Sequence, residues 1–343
     1  MRAPNPRRRA TSPLDISLTI NTRNVTTMER PATHPELAGR SVLTLRHHST
    51  EAIEAVLDLS AALKATPWRE WPAWLHNRVV AMIFERNSTR TRVAFEAATA
   101  RLGGHAIYLS SGDTQLGRGE AIEDTALILS GIVDAIVLRT GPHQKLVDLA
   151  KHASIPVINA LTYDHHPCQA LADALTLRER FGALEGLKVA YVGDGNNCYL
   201  SLAIVCAKLG MHVTCACPEG YDPDMETVAW ADGVARERGG SVTVMRDAVE
   251  AVENARAIYT DTWVSMGDEE REAERVRALG PYKLDQALLD RAAPDAIAMH
   301  PLPAHHDVEV SYDVIHGPRS AVWQEGHNRL YTQAALLAHI LAD

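Results

Sequence analysis

The residues best suited to chemistry form a run of hydroxyl and guanidinium side chains, Ser88-Thr89-Arg90-Thr91-Arg92. Hydroxyl groups donate to phosphate oxygens, and a guanidinium group can pair with phosphate through two parallel hydrogen bonds. The run follows an apolar segment typical of a buried strand and precedes a segment typical of a helix. A helix N-terminus adds N–H groups and partial positive charge, so this turn is expected to bind an anion. An ordinary helix cap is the alternative.

Other polar side chains follow apolar segments in the same way along the rest of the chain. They are Arg139, His166 to Gln169, Asn197, Asp261 to Gly267, and His300 to Pro303. In open parallel sheets, ligands bind at the carboxyl ends of the strands. We therefore expect these segments to converge on one site.

The segments that must position these residues alternate between short apolar runs and longer amphipathic runs. Strands are predicted at 79–84, 105–109, 133–139, 156–160, 188–193, 211–217, 241–245, 256–260 and 295–299. Helices are predicted between them, including 168–181 in the middle of the chain and 328–341 at its end. This alternation predicts an α/β fold with two open parallel-sheet domains joined by inter-domain helices. The length of 343 residues agrees with two domains.

The expected organisation divides the chain into five parts. Residues 1–34, rich in arginine, proline, threonine and asparagine, form a mobile N-terminal arm without the apolar region of a secretory signal. A first domain spans 35–165, an inter-domain helix 166–182 and a second domain 183–324. A C-terminal helix, 325–343, is expected to pack back on the first domain.

Composition narrows the class of protein. The chain is 46% hydrophobic and 22% charged, which is typical of a globular protein, and no segment has the length of a transmembrane helix. A net charge of −9 gives no basic field to attract nucleic acid. Five cysteines without a CxxC spacing indicate reduced thiols in a cytoplasmic protein. We expect neither a nucleic acid nor a membrane as partner.

A metal site is a further possibility that the sequence allows us to weigh. His165, and His305-His306 with Asp307, have the side chains that ligate metals, but their spacing matches no closed zinc pattern. We therefore expect solvated loop histidines and no metal.

Laid side by side, these segments resemble the aspartate/ornithine carbamoyltransferase family, and within it the ornithine-type enzymes. Three motifs carry the resemblance: Ser-Thr-Arg-Thr-Arg at 88–92, His-Pro-x-Gln at 166–169 and Asp-x-x-x-Ser-Met-Gly at 261–267. The stretches 193–197 and 325–329 also match, and the resemblance extends from about Leu37 to the end of the chain.

The resemblance implies the carbamoyltransferase fold and a specific reaction. The carbamoyl group of carbamoyl phosphate would pass to the terminal amine of L-ornithine, giving L-citrulline and phosphate in arginine metabolism. The resemblance also implies that no metal or organic cofactor is needed. It implies a homotrimer, or a multiple of trimers, whose active sites are shared between subunits.

The family's functional residues can be carried over to matching positions. The resemblance implies that carbamoyl phosphate is bound by Ser88, Thr89, Arg90, Thr91, Arg139, His166, Gln169, Arg329, the main chain of Pro301 and Leu302, and Gln115 of a neighbouring subunit. It implies catalytic roles for Arg139, His166, Gln169 and Arg329. It implies an ornithine site formed by Asn197, Asp261, Ser265 and Met266.

Two positions depart from the ornithine-type pattern, and both lie on the side of the accepting amine. Pro301 stands where these enzymes usually carry a cysteine, and Leu200 where many carry a histidine. Proline has no N–H and a fixed φ angle, so the local shape can differ. Carbamoylation of putrescine, lysine or 2,3-diaminopropionate therefore stays an alternative.

Two more distant alternatives also remain. Gly193-x-Gly195 follows an apolar segment as in an NAD-dependent oxidoreductase, but it lacks the third glycine of that fingerprint. A non-catalytic relative is the other alternative, and retention of the four catalytic candidates argues against it.

Overall fold

The computed structural model describes residues 32–110, 112, 114–115, 119–264 and 271–342. The predicted mobile arm, residues 1–34, lies outside the described residues as far as residue 31. The strands are Val79–Phe84 (β1), His105–Ser110 (β2), Ala135–Arg139 (β3), Val157–Leu161 (β4), Lys188–Val192 (β5), His212–Ala216 (β6), Ser241–Met245 (β7), Ala257–Tyr259 (β8) and Ile297–Met299 (β9). The α-helices are Thr50–Ala65 (α1), Arg90–Arg101 (α2), Ile122–Ser130 (α3), His143–His152 (α4), Pro167–Phe181 (α5), Asn197–Lys208 (α6), Met225–Glu237 (α7), Ala248–Val252 (α8), Glu272–Leu279 (α9), Gln286–Leu289 (α10), Tyr312–His316 (α11) and Val322–Leu341 (α12).

Two parallel sheets organise these elements. The first has strand order β2-β1-β3-β4 and the second has order β7-β6-β5-β8-β9, with every pair parallel. Strands such as β1 are almost wholly apolar because helices cover both faces of a parallel sheet. The predicted fold class, two open parallel-sheet α/β domains, is confirmed.

The strand orders determine where a crevice opens in each sheet. In the first sheet the chain order reverses between β1 and β3, and in the second it reverses between β5 and β8. Loops that leave neighbouring strands toward opposite faces leave an open crevice at this switch point. The segments after β1, β3, β5 and β8 are those in which the sequence predicted functional residues.

Helices α5 and α12 connect the two domains. Every residue of α5 from Pro167 to Leu177 is buried, as expected of a helix that is covered on all sides. Helix α12 packs against α5, α1 and α2, and α5 also contacts α6. One apolar core therefore runs from the first sheet to the second through these helices, and it includes Leu57, Leu175, Tyr191 and Leu336.

The C-terminal helix begins earlier than the sequence predicted. The helix starts at Val322. The apolar pattern predicted a start at about 328, and the division of the chain implied a start at 325. Glu325 and Asn328 interrupt the apolar pattern that marked the start, but both are fully buried and hydrogen-bonded inside the protein. Their partners lie far away in sequence, so the local pattern did not include this first turn.

Two features of the chain bear on its environment. None of the described helices is long and apolar enough to cross a lipid bilayer. All five cysteines, which lie within the described residues, are buried and unpaired thiols. Cys215 on β6 and Cys217 just after it are both fully buried in the core, which accounts for them as packing residues.

A matched pair of valines tests the position of α6 in the shared core. Val205 of α6 is fully buried, whereas Val249 of α8 is 50% exposed. Val205→Ala is expected to lower the free energy of unfolding by about 2 kcal/mol, because it removes buried methyl groups and leaves a cavity. Val249→Ala should change it by less than about 0.5 kcal/mol. Urea unfolding followed by circular dichroism measures both, and equal effects would contradict the buried position of α6.

Candidate active site

The turn between β1 and α2 has the features of an anion site. Thr89 precedes the helix with helical dihedral angles, and its side chain caps none of the first N–H groups. The ordinary capped start that the sequence left open is therefore not what forms at Thr89. The buried hydroxyl of Thr91 accepts a hydrogen bond from the guanidinium of Arg329 on α12. The N–H groups of the first turn thus remain available to a ligand.

Arg92 does not point its charge into this turn. Its Nε donates to Glu96 Oε1 at 2.9 Å along the helix, and its guanidinium lies over the ring of Tyr108 at 3.3 Å from the centroid. Arg92 is therefore held on the flank of α2.

Three arginines meet in the crevice. Arg90 begins α2, Arg139 ends β3 and Arg329 lies on α12. The β3–β4 register shifts between Leu138 and Arg139, a bulge of the kind that re-aims side chains beside functional sites. Burial lowers the pKa of each guanidinium, and the nearby Arg329 lowers the pKa of Arg90 further and that of Arg139 to about 10.

None of these guanidinium groups is paired with a carboxylate in the part of the chain that the structure describes. Among the described residues, none of Arg90, Arg139 and Arg329 forms an ion pair, and the Nε of each has no hydrogen-bond partner. Buried charges are normally paired, because removing an ion from water is costly. Three unpaired cations in one place indicate a site for a multiply charged anion.

His166 lies among these arginines in an uncharged form. It precedes α5 and is 3% exposed, with its Nε2 3.4 Å from Arg329 Nη2. Burial is the main cause that lowers its pKa well below the usual value, and the charges of Arg329, Arg139 and Arg90 lower the pKa further. Its backbone N–H donates to Ser201 Oγ of α6 at 2.7 Å. A neutral imidazole fixed in this way can donate to a ligand oxygen without adding charge.

Gln169 lies on the first turn of α5 with its amide fixed by two acids. Its Nε2 donates to Asp173 Oδ1 at 2.9 Å and to Glu325 Oε1 at 2.8 Å. Its buried Oε1 has no partner among the residues that the structure describes. The oxygen can therefore accept a hydrogen bond from an NH₂ group of a ligand.

The turn after β9 is held by a buried histidine and carboxylate. His300 Nδ1 accepts from the N–H of Leu302 at 2.9 Å, so its Nε2 carries the proton that faces Glu309 Oε1 at 3.3 Å. Both side chains are fully buried. Glu309 Oε1 also accepts from the N–H of His305 at 2.5 Å. These bonds fix the backbone that carries Pro301 and Leu302.

Polar residues of the second domain form the opposite wall. Asn196 caps α6 through its Oδ1, and its Nδ2 donates to Asp261 Oδ2 at 2.8 Å. The other oxygen of Asp261 accepts from the N–H of Thr262 at 2.7 Å. Asn197 donates to the carbonyl of Thr162 at 2.5 Å and so connects α6 to the end of β4. The charge of Asp261 also acts on Arg90 across the crevice.

Three predicted site residues stand apart from this group. Ser265 and Met266 lie outside the described residues. Gln115 is exposed and lines a cavity of about 160 Å³ with Leu109 and Glu120, near the edge of the first sheet. Ser88, by contrast, belongs to the turn of the anion site and lies half-buried just before Thr89.

The glycines after β5 are explained by packing rather than by a nucleotide. A Cβ on Gly195 would lie 2.4 Å from the backbone nitrogen of Pro223, and Gly193 has a φ of +131° beside Trp263. Asp194 between them pairs with Arg275. The Gly-x-Gly spacing therefore follows from close contacts in this loop.

Several residues that hold the site were not predicted from the sequence. Asp173 and Glu309 were not identified, and Glu325 was quoted only as part of a motif. A carboxylate four residues after Gln169, within the largely apolar first part of the helix, was the available signal for Asp173. Among the described residues, no group of three or more histidine, cysteine, aspartate or glutamate side chains could hold a metal ion.

Comparisons with known proteins assign both halves of the chain. The family model of the aspartate/ornithine carbamoyltransferase carbamoyl-P binding domain matches residues 40–179, and that of the Asp/Orn binding domain matches residues 185–340. Ornithine carbamoyltransferase of Bacillus subtilis (strain 168) is 50% identical over 309 residues, which are 90% of this chain and 96% of that protein.

Pyrococcus furiosus supplies a relative and a solved structure. Its protein named "Ornithine carbamoyltransferase, anabolic" is 47% identical over 308 residues, covering 89% of this chain and 97% of that protein. The structure of ornithine carbamoyltransferase from Pyrococcus furiosus matches with a TM-score of 0.86 and 47% identity, and the match covers 89% of this chain and 98% of that one.

Anion binding by the arginine cluster can be tested with sulfate. At a concentration about one hundred times its Kd, bound sulfate should stabilise the protein by about 2.7 kcal/mol, seen as a higher Tm than in chloride of equal ionic strength. Arg139→Gln should remove this gain and retain only the general effect of sulfate on proteins. Arg236→Gln is the control, because Arg236 is 72% exposed and pairs with Asp232. An equal gain in all three proteins would contradict the site.

Proposed function

Because this chain belongs to the aspartate/ornithine carbamoyltransferase family, we propose that it moves the carbamoyl group of carbamoyl phosphate to the terminal amine of L-ornithine, giving L-citrulline and phosphate. The observation that carries the proposal is the convergence of Arg90, Arg139 and Arg329 on the start of α2 without carboxylate partners among the described residues. A phosphate dianion supplies the charge that this cluster lacks. The names of relatives near 50% identity support ornithine as the acceptor.

The phosphate is held at the turn before α2. Ser88, Thr89, Arg90 and Thr91 bind its oxygens, together with the uncapped N–H groups of the first helical turn. Arg139 reaches the phosphate and also the carbonyl oxygen next to it. Because the site is largely buried, these charges act through little water and their interactions with the ligand are strong.

The carbonyl group is polarised by three donors. Thr91, Arg139 and His166 surround the oxygen that becomes negatively charged when the amine adds to the carbon. Donors that are already in place stabilise such an oxyanion without reorganising during the reaction. The lowered pKa of His166 keeps its imidazole neutral. It therefore donates a hydrogen bond and does not take up the proton that the amine releases.

The carbamoyl NH₂ group is recognised from the opposite side. Gln169 Oε1 accepts from it, and the main-chain carbonyls of Pro301 and Leu302 accept its other hydrogen. Arg329 completes the site from α12 and contributes with Arg139, His166 and Gln169 to catalysis. The free Oε1 of Gln169 and the fixed turn after β9 support this orientation.

Ornithine approaches from the second domain. Asn197, Asp261, Ser265 and Met266 hold its amino-acid head group, with the carboxylate of Asp261 beside the α-ammonium. The terminal amine attacks as neutral NH₂, its nitrogen bonds to the carbonyl carbon, and the bond from that carbon to the phosphate oxygen breaks. The attacking nitrogen gives up one proton, which leaves with the departing phosphate. Only the neutral amine has the lone pair that forms the new bond, so the amine must be deprotonated before it attacks.

Other acceptor amines are less well supported. The alternatives rested on Pro301 and Leu200, but Leu200 is 7% exposed and belongs to the apolar core. Its change from the usual histidine therefore alters packing within α6. The relatives named above act, by their names, on ornithine, and one is named anabolic. We accordingly propose a role in arginine biosynthesis.

The division of the chain and its location are also proposals. We propose the domains 35–165 and 183–324, connected by the helix 166–182, with 325–343 folded back on the first domain. The two sheets and the packing of α12 on α1 and α2 support this division. Five buried free thiols support a reducing compartment such as the cytoplasm.

We propose a homotrimer in which Gln115 serves a neighbouring site. Large apolar side chains of the first domain are exposed in the single chain: Val93, Ile107, Leu127, Ile128 and Ile132. Exposed apolar groups in such number are typical of a covered interface. Gln115 lies beside Ile128, in the same cavity, so a neighbour on this surface could receive it.

The choice of acceptor is tested by measuring ureido products from carbamoyl phosphate and a panel of amines. The panel contains ornithine, putrescine, lysine, 2,3-diaminopropionate and aspartate. Ornithine is expected to give a kcat/KM at least 100-fold above every other amine. A higher value for any other amine would replace ornithine as the substrate. No product from any amine would count against carbamoyl transfer itself.

The assembly is tested by light scattering. The mass should be three times the chain mass of 37.5 kDa, or a multiple of that value. Ile128→Glu should lower the mass to that of the single chain and reduce activity, because it buries a charge in the interface. Val249→Glu, at a valine of the second domain that is 50% exposed against 62% for Ile128, should leave the mass unchanged. A fully active single chain would refute the shared site.

A further inference from the structure

We propose that Asp173 and Glu325 act together as an acid pair with one negative charge, which orients the amide of Gln169 and so positions the carbamoyl-phosphate site. This inference rests on the proposed function, because it assigns the pair a task in recognising the carbamoyl group. Asp173 lies one turn after Gln169 on α5, and Glu325 lies in the first turn of α12. Both are positioning residues that act through Gln169.

The amide of Gln169 has only one orientation that satisfies its surroundings. Both hydrogens of its NH₂ are donated, one to Asp173 Oδ1 and one to Glu325 Oε1. All three side chains are at most 1% exposed, so water cannot replace either acid. A flipped amide would turn its oxygen toward two acid oxygens, leave Asp173 Oδ1 without a donor and remove the shorter of the two side-chain hydrogen bonds to Glu325 Oε1, which is costly in a buried site. The acids therefore force Oε1 toward the crevice.

The pair holds one proton between its two carboxyl groups. Acids that share one NH₂ group are close neighbours, and two like charges in a buried site cannot both form. Burial is the main cause that raises the pKa of each. The groups that face the pair are Arg329 on α12, the hydroxyl of Tyr259 on β8, the thiols of Cys198 and Cys206 on α6, and the N–H of His300 after β9. Arg329 is the cation that favours a single negative charge.

The donors around each acid indicate where the charge lies. Glu325 accepts three hydrogen bonds, from Gln169 at 2.8 Å, from the N–H of His300 at 3.0 Å and from Tyr259 at 3.4 Å. Asp173 accepts a hydrogen bond from Gln169, its Oδ2 has no further hydrogen-bond partner among the described residues, and Glu325 and the Tyr259 hydroxyl lie close enough to lower its pKa. Donors stabilise the ionised form of an acid. By this count of donors we place the negative charge on Glu325 and the proton on Asp173, although Asp173 raises the pKa of Glu325 and Glu325 lowers that of Asp173. The two variants below decide between the two placements.

Glu325 also joins three parts of the site. Its Oε2 holds the N–H of His300, which begins the turn that carries Pro301 and Leu302. Arg329 follows one helical turn later on the same face of α12 and donates to Thr91. The orientation of Gln169, the position of this turn and the register of Arg329 are thus set by one carboxylate.

Two variants of nearly unchanged shape separate the roles of the two acids. Glu325→Gln must direct an NH₂ toward either the N–H of His300 or the NH₂ of Gln169, so one buried donor faces another. It is expected to lower kcat/KM for carbamoyl phosphate at least 100-fold. Asp173→Asn keeps an acceptor for Gln169 and the neutral charge of the protonated acid, so it should lower kcat/KM by no more than about fivefold. Similar losses in the two variants would overturn the assignment of charge.

The pH profile provides a readout that a purely structural role would not change. In the wild type, loss of the shared proton at alkaline pH adds a second negative charge beside Gln169, and kcat/KM for carbamoyl phosphate should fall. Asparagine at position 173 cannot lose that proton, so the alkaline fall should be absent in Asp173→Asn. This comparison does not depend on whether Glu325→Gln folds. An alkaline fall that persists unchanged in Asp173→Asn would refute the pair.

Matched controls and a binding measurement separate this inference from the proposed function. Asp58→Asn and Glu237→Gln alter exposed acids remote from the crevice and should leave the kinetics unchanged. Calorimetry should show carbamoyl phosphate bound at least tenfold more weakly by Glu325→Gln than by Asp173→Asn. If the wild type is inactive but the two variants still show this difference in binding, the proposed function is refuted and the positioning role of the acid pair is supported. An active wild type with equal binding by both variants would refute the pair alone.

Discussion

The structure depends on one electrostatic constraint, the gathering of one buried and two half-buried guanidinium groups that form no ion pair with a carboxylate in the part of the chain that is described. Arg90, Arg139 and Arg329 come from three elements that the two sheets and α12 bring together. Removing such charges from water costs free energy unless a counter-charge arrives. A bound phosphate relieves this cost, so the site attracts its ligand by the same interaction that makes the empty crevice unfavourable.

Stability for this arrangement comes from the apolar core that surrounds the inter-domain helices. Helix α5 is buried along its first eleven residues, and α12 packs against α1, α2 and α5. The core runs without a break from the first sheet to the second. Because the helices that bear Gln169 and Arg329 are the ones that join the domains, the site and the domain arrangement are stabilised by the same contacts.

The positive field of Arg90, Arg139 and Arg329 influences the protonation of the groups beside them. Burial and this field together keep His166 neutral, since a protonated imidazole would be out of water and beside three guanidinium groups. The field also favours one negative charge on the acid pair of Asp173 and Glu325, which neighbours Arg329. The oxygen-binding and NH₂-binding sides of the crevice are therefore parts of one charge distribution, and a change in one alters the protonation of the other.

The sequence by itself determined the class of fold, the order of elements and most residues of the crevice. It could do so because apolar strands, turn residues and motif spacings are local features, and the carboxyl ends of parallel strands face one edge. It placed the start of α12 too late and missed Asp173 and Glu309. Only the tertiary structure decided which way Gln169 faces and that His166 is neutral. Those properties depend on contacts between distant segments, such as the bond from Gln169 to Glu325 across 156 positions, and on burial, which no local pattern encodes.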